Sequence, residues 1–395
     1  MESGVKKKIL LVHNYYQIPG GEDTVVANEK RLLEEHGHKV VLYTRHNSEL
    51  NDYSKMQKLL LPFSTIFNLR TYREVRELIE REQIEILHVH NTLNLVSPSV
   101  YYAGVRKRIP VIQTVHNFRL LCPGATFYRE GKVCEDCVKK GMLCAVKHGC
   151  YRGSKTQTLA CVISTKIHRL LGIYGKINYI CLTQFNKEKL LQLTQIKENQ
   201  VFIKPNFVFT KEINSDSERF QRQFVYVGRL EEIKGISILM EAWKKLGKEA
   251  PELILCGNGP LESWCRDYVE KNEMQNVHLM GFVPNKEVQD IIAKSTALIL
   301  PTQVYEGFPM TIVEAYGKGT PVIASDLGNA GNLVIPGVTG KRFSYQSASA
   351  LADAVRNFES FDSGRIQQIY QEIYSAEKNY EELQKIYKHV SHKES

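Results

Sequence analysis

A chain of 395 residues with 52 Lys and Arg, 43 Asp and Glu and a formal charge of +9 is too long for one ordinary core, and its soluble, globular composition points to two domains. No segment approaches the run of about 20 apolar residues that crosses a bilayer, and the start MESGVKKKILLVH lacks a cleavable signal pattern, so a cytosolic chain is expected. Nine cysteines, an odd number, argue against a disulfide framework and for thiols that are buried, reactive or metal-bound.

The first predicted element is a short apolar strand at residues 8–13, followed by NYYQIPGGEDTVV and an amphipathic helix that runs to about His36 and stops at Gly37. Gly20 and Gly21 stand where that helix begins, so a ligand can come close to backbone N–H groups at a helix N-terminus. Apolar runs at 39–44, 84–90, 111–115 and 179–182 predict further strands, with helical patterns such as 72–82 between them. Alternating strands and helices make a parallel, doubly wound sheet, which takes ligands beyond the carboxyl ends of its strands. His13, His90 with Asn91, and His116 with Asn117 lie at those ends.

A cysteine-rich insert at 118–153 follows directly. Cys134-x-x-Cys137, flanked by Cys122, Cys144 and Cys150, has the spacing of a tetrahedral structural zinc site. The expected ligands are Cys134, Cys137 and Cys150, with Cys122 preferred to Cys144 as the fourth; the alternative is a set of reduced thiols. Cys161, Cys181, Cys256 and Cys265 lie in strand or helix patterns and read as packing residues.

Residues 101–204 hold 18 Lys and Arg against 5 Asp and Glu, so they carry the whole positive excess. Within them, segment 155–176 has Leu159, Val162, Ile163, Ile167, Leu170 and Leu171 at helical spacing, with Lys155, Lys166, Arg169 and Lys176 at the polar edges. This pattern fits a helix lying on an anionic membrane face.

The strand and helix pattern restarts after Lys204-Pro205-Asn206, with a polar hinge expected at 214–218. Strands at 223–227, 253–256, 277–280, 297–300 and 322–324 and a helix at 236–246 predict a second doubly wound domain; 372–388 reads as a closing helix. In VGRLEEIKG, Arg229 and Lys234 place one forked and one point-like cation beyond a strand, which suits a diphosphate. Gly257-Asn258-Gly259-Pro260 is a second glycine turn, and MGFVP at 280–284 follows the next strand. The chain has no D-x-D, so no carboxylate pair for a catalytic divalent metal is expected.

In PTQVYEGFPMTIVEAYGKGTPVI, Glu306 and Glu314 flank a Gly-Phe-Pro turn. Pro309 is expected at the first helical position, which puts Glu306 on a loop and Glu314 in a helix. A strand, a glycine-bearing loop and a helix N-terminus favour negative charge, and two carboxylates beside them point to a ligand with both phosphate and hydroxyls.

EGFPMTIVEAYGKGTPVIASD resembles the signature of glycosyltransferase family 4, the retaining sugar-nucleotide transferases, and the likeness extends along nearly the whole chain, in the manner of bacterial surface-polysaccharide members with a cysteine-rich insert. The resemblance implies an α/β chain of GT-B fold, two doubly wound Rossmann-like domains facing a central cleft. These would be an acceptor-binding domain at 1–205 that carries the insert, a nucleotide-sugar-binding domain at 206–371, and a helix at 372–395 returning to the first domain. It further implies that Glu306 contacts hydroxyls of the donor sugar and Glu314 the ribose. The backbone from Gly307 through Phe308 and Pro309 to Met310 would approach the sugar and diphosphate. Gly20, Gly21, Arg229 and Lys234 would face the diphosphate, Gly257, Gly259 and Phe282 the nucleotide, and His116 in TVHN the donor sugar, making His116 and Glu306 the expected catalytic residues. After Asp326 this chain reads Gly328-Asn329-Ala330-Gly331-Asn332 where many members have two glycines and a glutamate, which bears on the identity of the sugar.

The expected donor is a nucleoside diphosphate sugar, commonly UDP-linked. The expected acceptor is lipid-linked or saccharide, met at the inner membrane face in surface polysaccharide assembly, with no nucleic acid involved. Two rivals stand beside this reading: a sugar-nucleotide epimerase of the same fold, which would turn over donor without acceptor, and a zinc-stabilised nucleic-acid-binding protein, whose binding would be salt-sensitive.

Overall fold

The computed structural model describes residues 6–17, 20–209 and 222–392; the hinge expected at 214–218 lies outside them. The chain divides into two compact units: Met1–Phe127, Cys134–Phe207 and Ala376–Ser395 form the first, and Tyr128–Val133 with Val208–Ser375 the second.

In the first unit β1 (Lys8–Tyr15), β2 (Lys39–His46), β3 (Ile86–Val89) and β4 (Val111–Val115) are followed by a hairpin of β5 (Tyr128–Arg129) and β6 (Lys132–Val133), which divides with the second unit, and then by β7 (Asn178–Cys181) and β8 (Val201–Ile203). The six-stranded sheet runs β2-β1-β3-β4-β7-β8, parallel throughout. Residues of β3 and β4 are buried on both faces, which is why those strands are mostly apolar, with His88, Gln113 and Thr114 as their polar members. Ile9, Leu11, Ile86, Ile112 and Ile180 of the sheet form one core with Leu383, Ile386, Tyr387 and Val390 of the last helix, Ala376–His392. That helix starts at Ala376 and not at 372. Glu372 completes the preceding helix Ser363–Ile373, whose Tyr370 is buried and donates its hydroxyl to the Val208 carbonyl at 2.7 Å, within the second unit.

Two helices of the first unit depart from expectation. Helix Lys55–Ile66 was not foreseen; it packs beside helix Lys155–Leu170 and leaves Met56, Leu59, Leu60 and Phe63 between 51% and 70% exposed. Helix Lys155–Leu170 buries Thr158, Cys161, Val162, Ser164, Thr165 and His168, so Val162 is the one residue of the expected apolar stripe on its buried face. Leu170 and Leu171 of that stripe are 87% and 59% exposed.

In the second unit β9 (Gln223–Val227), β10 (Glu252–Cys256), β11 (Val277–Gly281), β12 (Ala297–Leu300), β13 (Val322–Ser325) and β14 (Gly340–Phe343) form a parallel sheet in the order β11-β10-β9-β12-β13-β14. Its core gathers Phe224, Trp243, Leu253, Ile299 and Leu351 around helix Ile236–Leu246. Strand order reverses between β1 and β3 in the first sheet and between β9 and β12 in the second. Chain connections leave such points in opposite directions and open a crevice at the carboxyl ends of the strands.

Candidate active site

At the reversal point of the second sheet, the loops after β9 and β12 are locked together. Gln303 N–H donates to the Ile233 carbonyl at 2.9 Å. Gly235, with φ +77°, sits so close to Pro301 that a Cβ there would overlap the Pro301 carbonyl oxygen, so this position needs glycine. The result is a fixed Lys234, whose Nζ bonds both carboxylate oxygens of Glu306, at 2.8 and 3.0 Å. Thr302 Oγ1 donates to the same carboxylate at 2.8 Å. Arg229 lies half-exposed after β9 and pairs with Glu231 at 2.6 Å. Lys234 and Arg229 therefore each face a carboxylate.

Glu306 is on the loop and Glu314 in helix Met310–Gly317, as their spacing indicates, but Pro309 is the N-cap and not the first helical residue. Its extended ψ of 99° turns the chain out of Gly307-Phe308 before the helix starts. Glu314 is partly buried; burial pushes its carboxyl above the ordinary range, and a hydrogen bond from Asn285 offsets part of that. Asn329, in the stretch that departs from the family pattern, is fully buried and donates to the carbonyls of Glu306 and Gly307, both at 2.8 Å. It braces the loop that carries Glu306.

The remaining expected donor contacts of this unit stand at the neighbouring strand ends. Leu230 N–H bonds the Asn258 carbonyl at 3.0 Å and Gly257 N–H the Gly281 carbonyl at 2.7 Å, which laces together the loops after β9, β10 and β11. A Cβ at Gly257 would overlap the Gly228 carbonyl, and Gly259 lies as tightly against Leu230. Phe282, just beyond β11, is 77% exposed and offers a free aromatic face.

In the first unit Gly20 caps helix Gly21–Glu35, with its N–H bonded to Asp23 Oδ2 at 3.0 Å. Asp23 Oδ1 meets His13 Nε2 at 2.7 Å. His116, after β4, meets His90 Nδ1 through its Nε2 at 3.0 Å, and the two rings stack. Burial first, then the neighbouring His90 and His13, hold His116 well below the ordinary imidazole range, so its ring is neutral near pH 7.

Behind His90 lies a buried network with no trace in the local sequence pattern. Glu29 Oε1 is 3.3 Å from His90 Nε2 and 3.1 Å from His88 Nδ1, and Glu29 Oε2 takes a hydrogen bond from Lys204 Nζ at 3.0 Å. Burial acts to raise the Glu29 carboxyl, but Lys204, His88 and His90 together hold it well below the ordinary range. Ligand atoms of Glu29, His88 and His90 lie within 4.8 Å of one another, as in a metal site. Lys204 already supplies the cation, however, and both His88 nitrogens have partners, Tyr387 at 2.8 Å and Thr114 at 2.7 Å.

His90 and His116 also line a cavity of about 90 Å³ with Thr65, Asn91, Arg119 and Thr165, bounded by the buried side of helix Lys155–Leu170. The four cysteines expected to hold zinc, Cys122, Cys134, Cys137 and Cys150, belong to the first unit. No helix among the described residues is long and apolar enough to cross a membrane.

Comparison with known proteins matches residues 19–133 to the family model described as Glycosyltransferase Family 4 and residues 221–359 to that described as Glycosyl transferases group 1. Over 144 residues the chain is 35% identical to TuaC of Bacillus subtilis, a glycosyltransferase assigned to teichuronic acid biosynthesis, covering 35% of this chain and 33% of that protein. Over 138 residues it is 31% identical to a glycogen synthase of Mycobacterium tuberculosis, covering 34% and 33%. The matched stretch is thus about a third of each relative's length. The Anabaena protein HepE, solved in complex with UDP, superposes over 96% of this chain and 98% of its own with a TM-score of 0.65 at 16% identity, a likeness of fold. One glycosyltransferase family model thus matches in each half of the chain, and the fold shared along nearly its full length is the GT-B fold.

Proposed function

We propose that the chain transfers a sugar, with retention, from a UDP-sugar to a lipid-linked saccharide acceptor in the assembly of a surface polysaccharide. The observation that carries this reading is the Lys234–Glu306 pair, fixed at the strand reversal of the second sheet beside Arg229 and the N-terminus of helix Met310–Gly317. Departure of a diphosphate places negative charge near the cations while the sugar ring becomes positive near the carboxylate. Groups held in place before the reaction stabilise both changes without reorganising. Glu314 takes the ribose hydroxyls, the glycine turn at Gly257 and Gly259 admits the nucleotide, and exposed Phe282 lies by the base. In the first unit, Gly20 and Gly21 at a helix N-terminus suit a phosphate and His116, neutral, suits a sugar hydroxyl.

UDP is favoured as the nucleotide because HepE binds it, and polysaccharide assembly because TuaC is assigned to it. The cavity beside His116 is the acceptor's place. One wall comes from Thr65 of helix Lys55–Ile66, whose outer face bears Met56, Leu59, Leu60 and Phe63 near Lys55 and Lys58, a surface suited to an anionic membrane that presents a lipid-linked substrate. Matches to transferase models leave the epimerase reading without support.

A thermal-shift panel of nucleotides and nucleotide sugars tests the donor, since a ligand of the folded state raises its melting temperature. UDP and at least one UDP-sugar should stabilise the protein, and Lys234→Ala or Glu314→Ala should abolish the shift. Glu306→Ala and His116→Ala should keep most of the shift but slow transfer of labelled sugar to a membrane fraction, by about a hundredfold for the loss of one preorganised contact. Full turnover of both variants at saturating donor would overturn the assignment.

A further inference from the structure

The insert that follows His116 brings four cysteines to one place, and we infer that Cys122, Cys134, Cys137 and Cys150 bind a single structural zinc ion. The convergence comes from three independent pieces of backbone. Cys122-Pro123-Gly124 turns so that the Cys122 sulfur accepts hydrogen bonds from the backbone N–H groups of Phe127, Gly124 and Ala125, and a further one from the Cys137 thiol. Ala125 and Phe127 hold φ at +67° and +51°, a conformation rare for residues with a side chain, which points their amides inward at the sulfur. Such N–H···S bonds suit a thiolate, the form that ligates metal.

The hairpin β5–β6 then reverses the chain, and Cys134 N–H bonds the Phe127 carbonyl at 2.6 Å, which puts Cys134 beside the turn that cradles Cys122. One helical turn on, Cys137 contacts Cys122 and lies within electrostatic reach of Cys134 and Cys150. The last ligand returns from helix Leu143–His148: a Cβ built on Gly124 would lie 3.7 Å from the Cys150 Cβ and 3.8 Å from the Cys122 sulfur. Gly124 thus leaves room where the Cys150 side chain and the Cys122 sulfur draw near each other. None of these contacts involves Cys144.

All nine cysteines are free thiols. No three of the four sulfurs lie within 4.8 Å of one another, a spacing met among the described residues by Glu29, His88 and His90. Binding would draw the four thiols together on a tetrahedral ion, with the sulfurs losing their protons as they bind. Four thiolates in tetrahedral array select zinc over harder cations. Phe118, Leu121, Phe127 and Met142 of the insert are buried, and a metal clip would tie the intervening turns to that apolar cluster.

Protein expressed in zinc-replete medium and purified without chelator should hold about one zinc per chain by elemental analysis. Cys137→Ser and Cys122→Ser should lose it, whereas Cys144→Ser keeps it. Cobalt reconstitution should give intense sulfur-to-cobalt charge-transfer absorption with the bands of tetrahedral cobalt. Less than about a tenth of an equivalent of zinc in the unmodified chain overturns the proposal, as does iron in its place or a Cys122–Cys137 disulfide found under reducing purification. Loss of zinc from Cys144→Ser with retention in Cys122→Ser overturns the ligand set. Metal content is read on the unmodified chain, so neither a misfolded variant nor failure of the sugar-transfer reading confuses the result.

Discussion

Lys204 and Glu29 lie 175 residues apart in the chain and are both buried, yet they meet at 3.0 Å, with Asn379 bonded to the same ammonium. Sequence spacing reveals partners on one helix face or one loop, and it placed Glu306 and Glu314 correctly on loop and helix because both belong to a single strand-loop-helix unit. It could not pair Lys204 with Glu29, nor see that Asn329 braces the Glu306 loop, because those contacts exist only after the sheets have formed. His88, in the same network, gives the residue-scale prediction. Burial holds its ring down to about 3, with Glu29 opposing that shift in part. A base with a depressed folded-state value contributes stability that is fully present above its unfolded value near 6.5 and is lost as pH falls toward 3, because the unfolded chain takes up a proton that the folded chain refuses. The slope is about 1.4 kcal/mol per pH unit inside that window. Melting temperature should fall on going from pH 7 to pH 5, and His88→Gln should flatten the decline. An identical pH dependence in that variant would show that His88 is not the group responsible.

At the scale of elements, ten strands were legible as apolar runs, several with the observed bounds; the four missed are the two-residue strands β5 and β6 of the insert hairpin and the two sheet edges β8 and β14. β8 has three residues, and β14 reads Gly-Lys-Arg-Phe, with charges that shield an open edge and hide it from a search for apolar runs. Helix Lys55–Ile66 escaped notice for a different reason. Pro62 inside KMQKLLLPFSTI reads as a helix breaker, yet the helix continues to Ile66. Its exposed face changes where a membrane contact should be sought, from the leucines of segment 155–176 alone to Leu59 and Phe63 as well. If this surface docks on lipid, Leu59→Gln with Phe63→Gln should cut co-sedimentation with anionic vesicles severalfold, since each large apolar side chain contributes about 1.5–3 kcal/mol when buried. Stability should hardly change, because the residues are 70% and 69% exposed. Unchanged pelleting of the double variant, or equal pelleting with neutral vesicles, removes the membrane from the proposed function.

For the molecule as a whole, each unit has its own parallel sheet and its own core, so a ligand or substitution confined to one unit should act on that unit's stability. Lys204, Glu29 and Asn379 tie the last helix to the first sheet, and Lys204→Met leaves Glu29 buried without its cation. Removing one partner of a buried pair costs about 3–5 kcal/mol, which for a unit of this size corresponds to a fall of roughly 10 °C. UDP, by contrast, is proposed to bind chiefly the second unit, and at a hundredfold excess over its dissociation constant it adds about 2.7 kcal/mol there. Calorimetry or hydrogen exchange read by mass spectrometry can follow the two units separately. Lys204→Met should destabilise peptides from β1, β3 and the helix Ala376–His392 and leave β9 and β12 unchanged, while UDP should protect β9, β12 and the helix Met310–Gly317 in both proteins by the same amount. If UDP instead protects the first unit's peptides foremost, the nucleotide site has been placed on the wrong sheet. If Lys204→Met loosens both units equally, they fold as one and the division of labour drawn from their separate cores is mistaken.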